Sequence, residues 1–261
     1  QCHVPATRAR QREGLDHALT RHTDHVDATG TGPDGDVVTV RAAFVVGADG
    51  ARSVVRDLLG IGTTGREYPD RYVMGDFADP EAPSARSAAL VDVGPDGVVE
   101  SFPLPGARRR YVALVPDDAA FAAAERGATG DPDPALVARL AALVAERTGV
   151  VPDPATCSMT SGFRVRRRTA DRVGAGRVVL VGDAAHEISP IGGQGMNLGW
   201  LDAAELAPLL AGAVRTGTAG PWPGYAARRQ AAARRAARQA EANMALGRPL
   251  VAVCQTLWFR D

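Results

Sequence analysis

Apolar positions along this chain follow two rhythms, and the change between them marks out its elements. Residues 178–181 (Val-Val-Leu-Val) form a short, uninterrupted apolar run, which predicts a strand buried on both faces. Residues 43–47 read the same way. After the first run the period lengthens, and Leu198, Leu201, Ala204, Leu206 and Leu209 are spaced for one side of a helix. Leu136, Leu140, Leu143 and Val144 predict another helix over 135–148, opened by Asp131-Pro132-Asp133-Pro134. Residues 224–247 are rich in alanine and arginine, both good helix formers, and Gly247 and Pro249 end the run. Leu15 and Leu19 suggest a helix over 8–21. Between 66 and 128 the pattern shortens to turn-separated runs at 72–77, 87–93, 97–103 and 110–115. Gly94-Pro95-Asp96-Gly97 and Pro105-Gly106 mark hairpins, and the region predicts an antiparallel or mixed sheet with one wet face. Residues 160–168 return to strand, and their arginines 164 and 166–168 read as a solvated face.

Composition narrows the class. With 261 residues, 45% hydrophobic and 23% charged, the chain builds one or two globular domains. Its formal net charge is zero, so no global field recruits nucleic acid or an acidic membrane. The arginines of 224–247 lack interleaved aromatics and a nucleic-acid motif, so they predict a docked helix with an arginine-coated outer face. Cys2, Cys157 and Cys254 are scattered and odd in number. They give neither a metal spacing nor a disulfide framework, as suits a cytoplasmic protein. No apolar run is long enough to span a bilayer. The apolar 251–259 segment packs on the body or on a second copy in a homodimer.

Two segments carry the candidate chemistry. Gly182-Asp183 places a carboxylate at the end of a buried strand, where open α/β sheets bind ligands. Beyond Pro190, Gly192, Gly193 and Gly195 let the backbone approach a ligand, and the following helix offers unpaired N–H groups and a positive dipole end. Earlier, Asp49-Gly50-Ala51-Arg52-Ser53 follows another strand, with Ser53 a good N-cap and Arg52 suited to phosphate. The competing reading of this second segment is an Asp–Arg pair with a purely structural role. Gly30–x–Gly32–x–x–Gly35 and Gly60–x–Gly62–x–x–Gly65 match a dinucleotide fingerprint formally. The first precedes a strand and reads as a hairpin, and the second follows a helix and reads as a C-cap and loop.

Gly182-Asp183-Ala184-Ala185-His186, Pro190, Gly193-Gln194-Gly195-Met196-Asn197-Leu198-Gly199 and Asp202-Ala203 resemble the second FAD signature of the flavoprotein aromatic hydroxylases, the para-hydroxybenzoate hydroxylase-like monooxygenases. Asp49-Gly50 resembles the Asp-Gly motif of the same family, in the order that family requires. The resemblance implies an α/β, Rossmann-like FAD-binding domain over 1–66 and 161–220, an inserted β-rich substrate domain over 67–160 and a C-terminal helical segment over 221–261. It implies FAD as cofactor, NAD(P)H as co-substrate and a small organic substrate, aromatic or polycyclic, hydroxylated through a flavin C4a-hydroperoxide. Asp49 and Gly50 would lie near the pyrophosphate, Asp49 would also bear on NAD(P)H handling, and Arg52 would face phosphate or the ribityl chain. Asp183 would hold the ribityl hydroxyls, Pro190 would sit on the substrate side of the ring, the backbone N–H groups of Gly195, Met196 and Asn197 would face the N1–C2=O edge, and Gly182 and Gly193 would also belong to the cofactor site. Tyr72, Met74, Phe102, Leu104 and Tyr111 are candidates to line the substrate pocket, and Arg8 or Arg12 to approach the flavin. The family's first signature, a strand and helix around GxGxxG, has no counterpart in context. A longer protein, a sheet completed by another chain and a degenerate relative that does not bind FAD each account for that, and the lack of an initiator Met favours the first. Rival functions are a reductase or halogenase on the same scaffold, the latter lacking its Trp-x-Trp-x-Ile-Pro segment here, and a non-catalytic binding module.

Overall fold

A computed structural model describes residues 17–79, 88–115, 132–191 and 193–248. In chain order the elements are β1 (Ala18–Arg21), β2 (Val26–Thr31), β3 (Val37–Ala42), β4 (Val45–Gly47), α1 (Val54–Leu58), β5 (Thr63–Ala78), β6 (Leu90–Gly94), β7 (Gly97–Leu104), β8 (Arg108–Val115), α2 (Pro134–Thr148), β9 (Met159–Ala170), β10 (Gly174–Ala175), β11 (Val178–Leu180), β12 (His186–Glu187), α3 (Gln194–Thr216) and α4 (Trp222–Leu246). The fold is mixed α/β. Two compact units emerge, Gln1–Arg66 with Arg166–Arg238, and Glu67–Val165 with Gln239–Asp261.

In the first unit β1, β2 and β3 form an antiparallel meander, and β10, β11 and β4 a second small sheet. Residues 178–181 are buried throughout, as a strand covered on both faces must be. They share a core with Ile61, Ala170, Leu206, Trp222 and Tyr225. The first formal glycine fingerprint falls where the sequence context places it, Gly35 at φ +89° turning the β2–β3 hairpin; of the second, Gly60 at φ +61° follows α1 as expected, but Gly65 lies within β5 and not in a loop.

Three expectations need correction here. The helix over 8–21 fails where it is described, because Ala18–Arg21 is β1, paired antiparallel with β2 from Ala18 opposite Thr29 to Arg21 opposite Val26. Residues 8–16, with Arg8 and Arg12, lie outside the described residues. The buried side of α3 is Leu198, Asp202, Leu206 and Ala213, while Leu201 is exposed. The helix is therefore turned relative to the stripe read from leucines alone, and an aspartate sits inside its packed face. On α4 the buried line runs through Trp222, Tyr225, Arg229, Ala233 and Ala236, so one arginine belongs to the inner face.

The second unit is an antiparallel sheet in which β5, β8, β7 and β6 lie side by side. α2 packs its Leu136, Val137, Leu140, Leu143 and Val144 against Val73, Phe77, Val99, Tyr111 and Ala113. Tyr111, a candidate pocket residue, is thus core, edge-on to Phe77 at 6.0 Å between ring centroids. Tyr72 is fully buried and stacks on Phe163. Asp133 starts α2 by accepting from the N–H groups of Ala135 and Leu136, and Gly149 closes it in the left-handed conformation. The 251–259 segment, Cys2, Gly192 and Cys254 are outside the described residues, and Cys157 is a free thiol.

Candidate cofactor site

The site is built on the register of two parallel strands. Val45 lies opposite Val178, Val46 opposite Val179 and Gly47 opposite Leu180, and Val181 N–H donates to the Gly47 carbonyl at 3.0 Å. Both strands therefore end at one edge, and Asp49 and Asp183 follow that edge from segments distant in sequence. Gly47 is forced by packing, since a Cβ there would stand 2.7 Å from Leu180 and 2.8 Å from Val55.

On the first segment Gly50 turns the chain at φ +83°. The Asp49 carboxylate accepts from the Ser53 hydroxyl at 2.5 Å and from Val55 N–H at 3.0 Å, and the Ser53 Oγ accepts from Arg56 N–H at 3.0 Å. The side chain of Asp49 thus shapes the turn into α1. Arg52, the expected phosphate cation, is exposed, and it makes no ion pair with Asp49. The guanidinium with a structural position is Arg56, passed over in the sequence. It is buried and donates to the carbonyls of Ala184 at 3.2 Å and Ala51 at 3.0 Å, tying the two segments together.

On the second segment Gly182 takes φ +60°, and its N–H donates to Asp202 Oδ2 at 2.8 Å. Asp202 is wholly buried on α3 and collects three partners. His186 Nε2 stands 2.6 Å from Oδ2, Arg229 Nε donates to Oδ1 at 2.5 Å, and Gly182 supplies the third bond. Arg229 also donates to the Leu198 carbonyl at 3.3 Å. Burial opposes ionisation of Asp202, but the bonds from His186, Arg229 and Gly182 outweigh it and hold the carboxyl below its ordinary value. His186 is accordingly a buried positioning group. The turn and α3 also meet glycine to glycine: a Cβ on Gly199 would lie 3.4 Å from Gly182 Cα.

What this frame leaves available is a carboxylate and a helix end. Asp183 is exposed and makes no hydrogen bond or ion pair with another described residue. Partial burial pushes its carboxyl up, and the neighbouring His186 partly offsets that. Pro190 is exposed, and its carbonyl accepts from Gly193 N–H at 2.9 Å. Gly193, at φ +65°, caps α3 without a side-chain hydrogen bond, so the first-turn N–H groups keep their free donors and positive dipole. Among the described residues a Cβ on Gly195 would meet only Ile188, at 3.8 Å. Met196 and Asn197 face outward, with Asn197 Nδ2 donating to the Gly193 carbonyl at 3.4 Å. A free carboxylate for hydroxyls, open backbone amides and glycine clearance together suit a large cofactor with a polyol chain and a delocalised anion.

These features define an α/β nucleotide-cofactor protein. The FAD binding domain family matches residues 5–240, so the chain belongs to that family, whose cofactor is FAD. It is 34% identical over 200 residues to ubiquinone hydroxylase UbiL of Rhodospirillum rubrum, covering 77% of this chain and 43% of that protein. It is 36% identical over 183 residues to 6-methylpretetramide 4-monooxygenase of Streptomyces rimosus, covering 70% of this chain and 31% of that protein. Among solved structures it resembles aklavinone-11 hydroxylase in a ternary complex with FAD and aklavinone, with a TM-score of 0.71, 29% identity, and coverage of 90% of this chain and 44% of that one. The chain spans 41% and 43% of the first two curated relatives it matches.

Proposed function

We propose that this chain is the FAD-holding part of a monooxygenase that hydroxylates an aromatic or polycyclic small molecule with NAD(P)H and O2. The observation that carries the reading is the common edge of β4 and β11, from which Asp49 and the unpartnered Asp183 emerge. When bound, FAD would supply the redox chemistry that couples NAD(P)H oxidation to O2-dependent hydroxylation of an electron-rich ring. Asp183 holds the ribityl hydroxyls. The amides of Gly195, Met196 and Asn197, at the positive end of α3, face the N1–C2=O edge and stabilise negative charge there. Gly182 and Gly193 supply the turns that let the backbone come close, and Pro190 stands on the substrate side. Asp49 and Gly50 shape the turn beside the pyrophosphate, and Arg52, free at the surface, pairs with its charge. Asp202, His186 and Arg229 touch no cofactor and fix the start of α3 against the strand end.

The visible spectrum tests this directly. Purified protein should carry, or take up, FAD with a resolved flavin band. In the full-length protein, NAD(P)H oxidation should accelerate when an aromatic substrate is added, with one oxygen appearing in the product. Protein that stays colourless after reconstitution with FAD would sink the reading. Flavin reduction without oxygenation of any aromatic probe would move the activity to a reductase.

A further inference from the structure

Where β1 turns into β2, the sequence places His22, His25 and Asp27 in an H-x-x-H-x-D spacing, which attention to cysteines alone passes over. The turn is closed by His22 N–H donating to the His25 carbonyl at 2.9 Å, and the two imidazoles stack with centroids 4.1 Å apart. His22 Nε2 lies 3.3 Å from Asp27 Oδ2, and His25 Nε2 lies 3.7 Å from the same oxygen. One ligand atom from each residue falls within 4.8 Å of the others. Two donors at ordinary Zn–N and Zn–O lengths and a tetrahedral angle stand about 3.3 Å apart. The protein atoms are thus already near the spacing of ligands around one ion.

Two further observations point the same way. Asp24 Oδ1 accepts from His25 Nδ1 at 2.7 Å, which places the ring proton on Nδ1 and leaves the lone pair on Nε2. That Nε2 is sealed from solvent and has no hydrogen-bond partner among the described residues. A carboxylate behind a histidine whose far nitrogen is bare is the outer-shell arrangement that orients metal-bound imidazoles. One feature opposes an ion: Arg41 donates to both oxygens of Asp27, at 2.8 and 2.9 Å. Its side chain is 69% exposed, so the guanidinium can swing aside at little cost.

The cluster is separate from the cofactor edge. The Thr23 carbonyl in the same turn accepts from Arg177 Nε at 2.9 Å. Arg177 precedes β11, whereas Asp183 follows its other end. We propose that His22, His25 and Asp27 bind one divalent ion of the zinc class, with Asp24 holding His25 from behind. Two imidazoles and one carboxylate favour zinc, nickel or cobalt over magnesium or calcium. Three protein ligands leave a fourth position to water, beside the exposed His22. The ion clips the β1–β2 turn and bears no part in the flavin chemistry.

Calorimetric titration of the chelator-stripped 261-residue chain with Zn²⁺ tests this, with Mg²⁺ as the control and circular dichroism confirming the fold of each variant. One saturable site is expected, and Co²⁺ in it should show the intense visible bands of a tetrahedral centre. His22→Gln and His25→Gln should each weaken binding by more than ~10-fold, and Asp24→Asn by about 10- to 100-fold. Arg41→Gln should tighten it, because a competing cation is removed. Absence of saturable binding, equal competition by Mg²⁺, or unchanged affinity in the folded His22→Gln/His25→Gln double variant would overturn the proposal.

Discussion

Asp202 lies out of reach of water, yet it keeps its charge because Arg229, His186 and the Gly182 amide surround it. Asp202→Asn leaves the buried Arg229 with only the more distant Glu205 carboxylate, 3.6 Å away, as counter-charge. The expected loss is about 3–5 kcal/mol, read from urea unfolding of the variant. The same group sets an acid limit. Its folded carboxyl titrates below the unfolded value of about 3.9, so its contribution is fully present above that pH. As the pH falls through the lower, folded value, that contribution disappears. Melting temperature followed from pH 6 downward should therefore drop more steeply in the parent than in Asp202→Asn. Equal slopes would assign the acid sensitivity elsewhere. Part of this hub was legible in the sequence, since His186 and Asp202 belong to the motif. Arg229 was not, being one arginine among many in 224–247. Its signal was positional: it falls in line with Trp222, Tyr225, Ala233 and Ala236, and an arginine on a buried stripe needs an acid opposite.

At the scale of elements, α2 depends on a single carboxylate for its start. Asp133 accepts from Ala135 N–H at 2.8 Å and Leu136 N–H at 3.4 Å, so Asp133→Ala should lower stability by about 1 kcal/mol in chemical denaturation. Leu140 is fully buried beneath the same helix, and Leu140→Ala should cost more, about 2–5 kcal/mol. A reversed order would mean that the cap, not the packed stripe, holds the helix. Both features were legible because they are local, a capping pattern and a 3.6-residue period. β1 was not legible, because leucine spacing suggests a helix and only pairing with β2 makes Ala18–Arg21 a strand. The start of β5 was hidden for a related reason. Gly65 reads as a loop glycine, but a Cβ there would fall 1.9 Å from the Arg167 carbonyl, so the residue serves a close approach of two backbones. Two-residue strands such as β10 and β12 carry no period at all, and only their partners define them.

For the molecule as a whole, the register between two segments remote in sequence matters most, because it brings Asp49 and Asp183 to one edge. Order along the chain suggested that meeting, and the parallel pairing of β4 with β11 supplies it. If FAD binds there, it binds only the folded chain and must raise the folding free energy by linkage. At a free FAD concentration of 100 times the dissociation constant the gain is about 2.7 kcal/mol, which for a chain of this size shifts the melting temperature by roughly 5–10 °C. Gly195→Ala separates this effect from packing. Among the described residues the added methyl meets only Ile188, at 3.8 Å, and alanine suits a helix better than glycine, so the flavin-free variant should melt at or slightly above the parent temperature. The same methyl stands where the backbone of α3 would lie against the flavin edge, so FAD should raise its melting temperature by less than half the parent shift. Gly47→Ala should behave oppositely. It is destabilised by about 1–3 kcal/mol without cofactor, through collision with Leu180 and Val55, while the part that folds keeps its FAD response. Melting curves of the three proteins with and without FAD decide it: a full FAD shift in Gly195→Ala would place the flavin away from the start of α3.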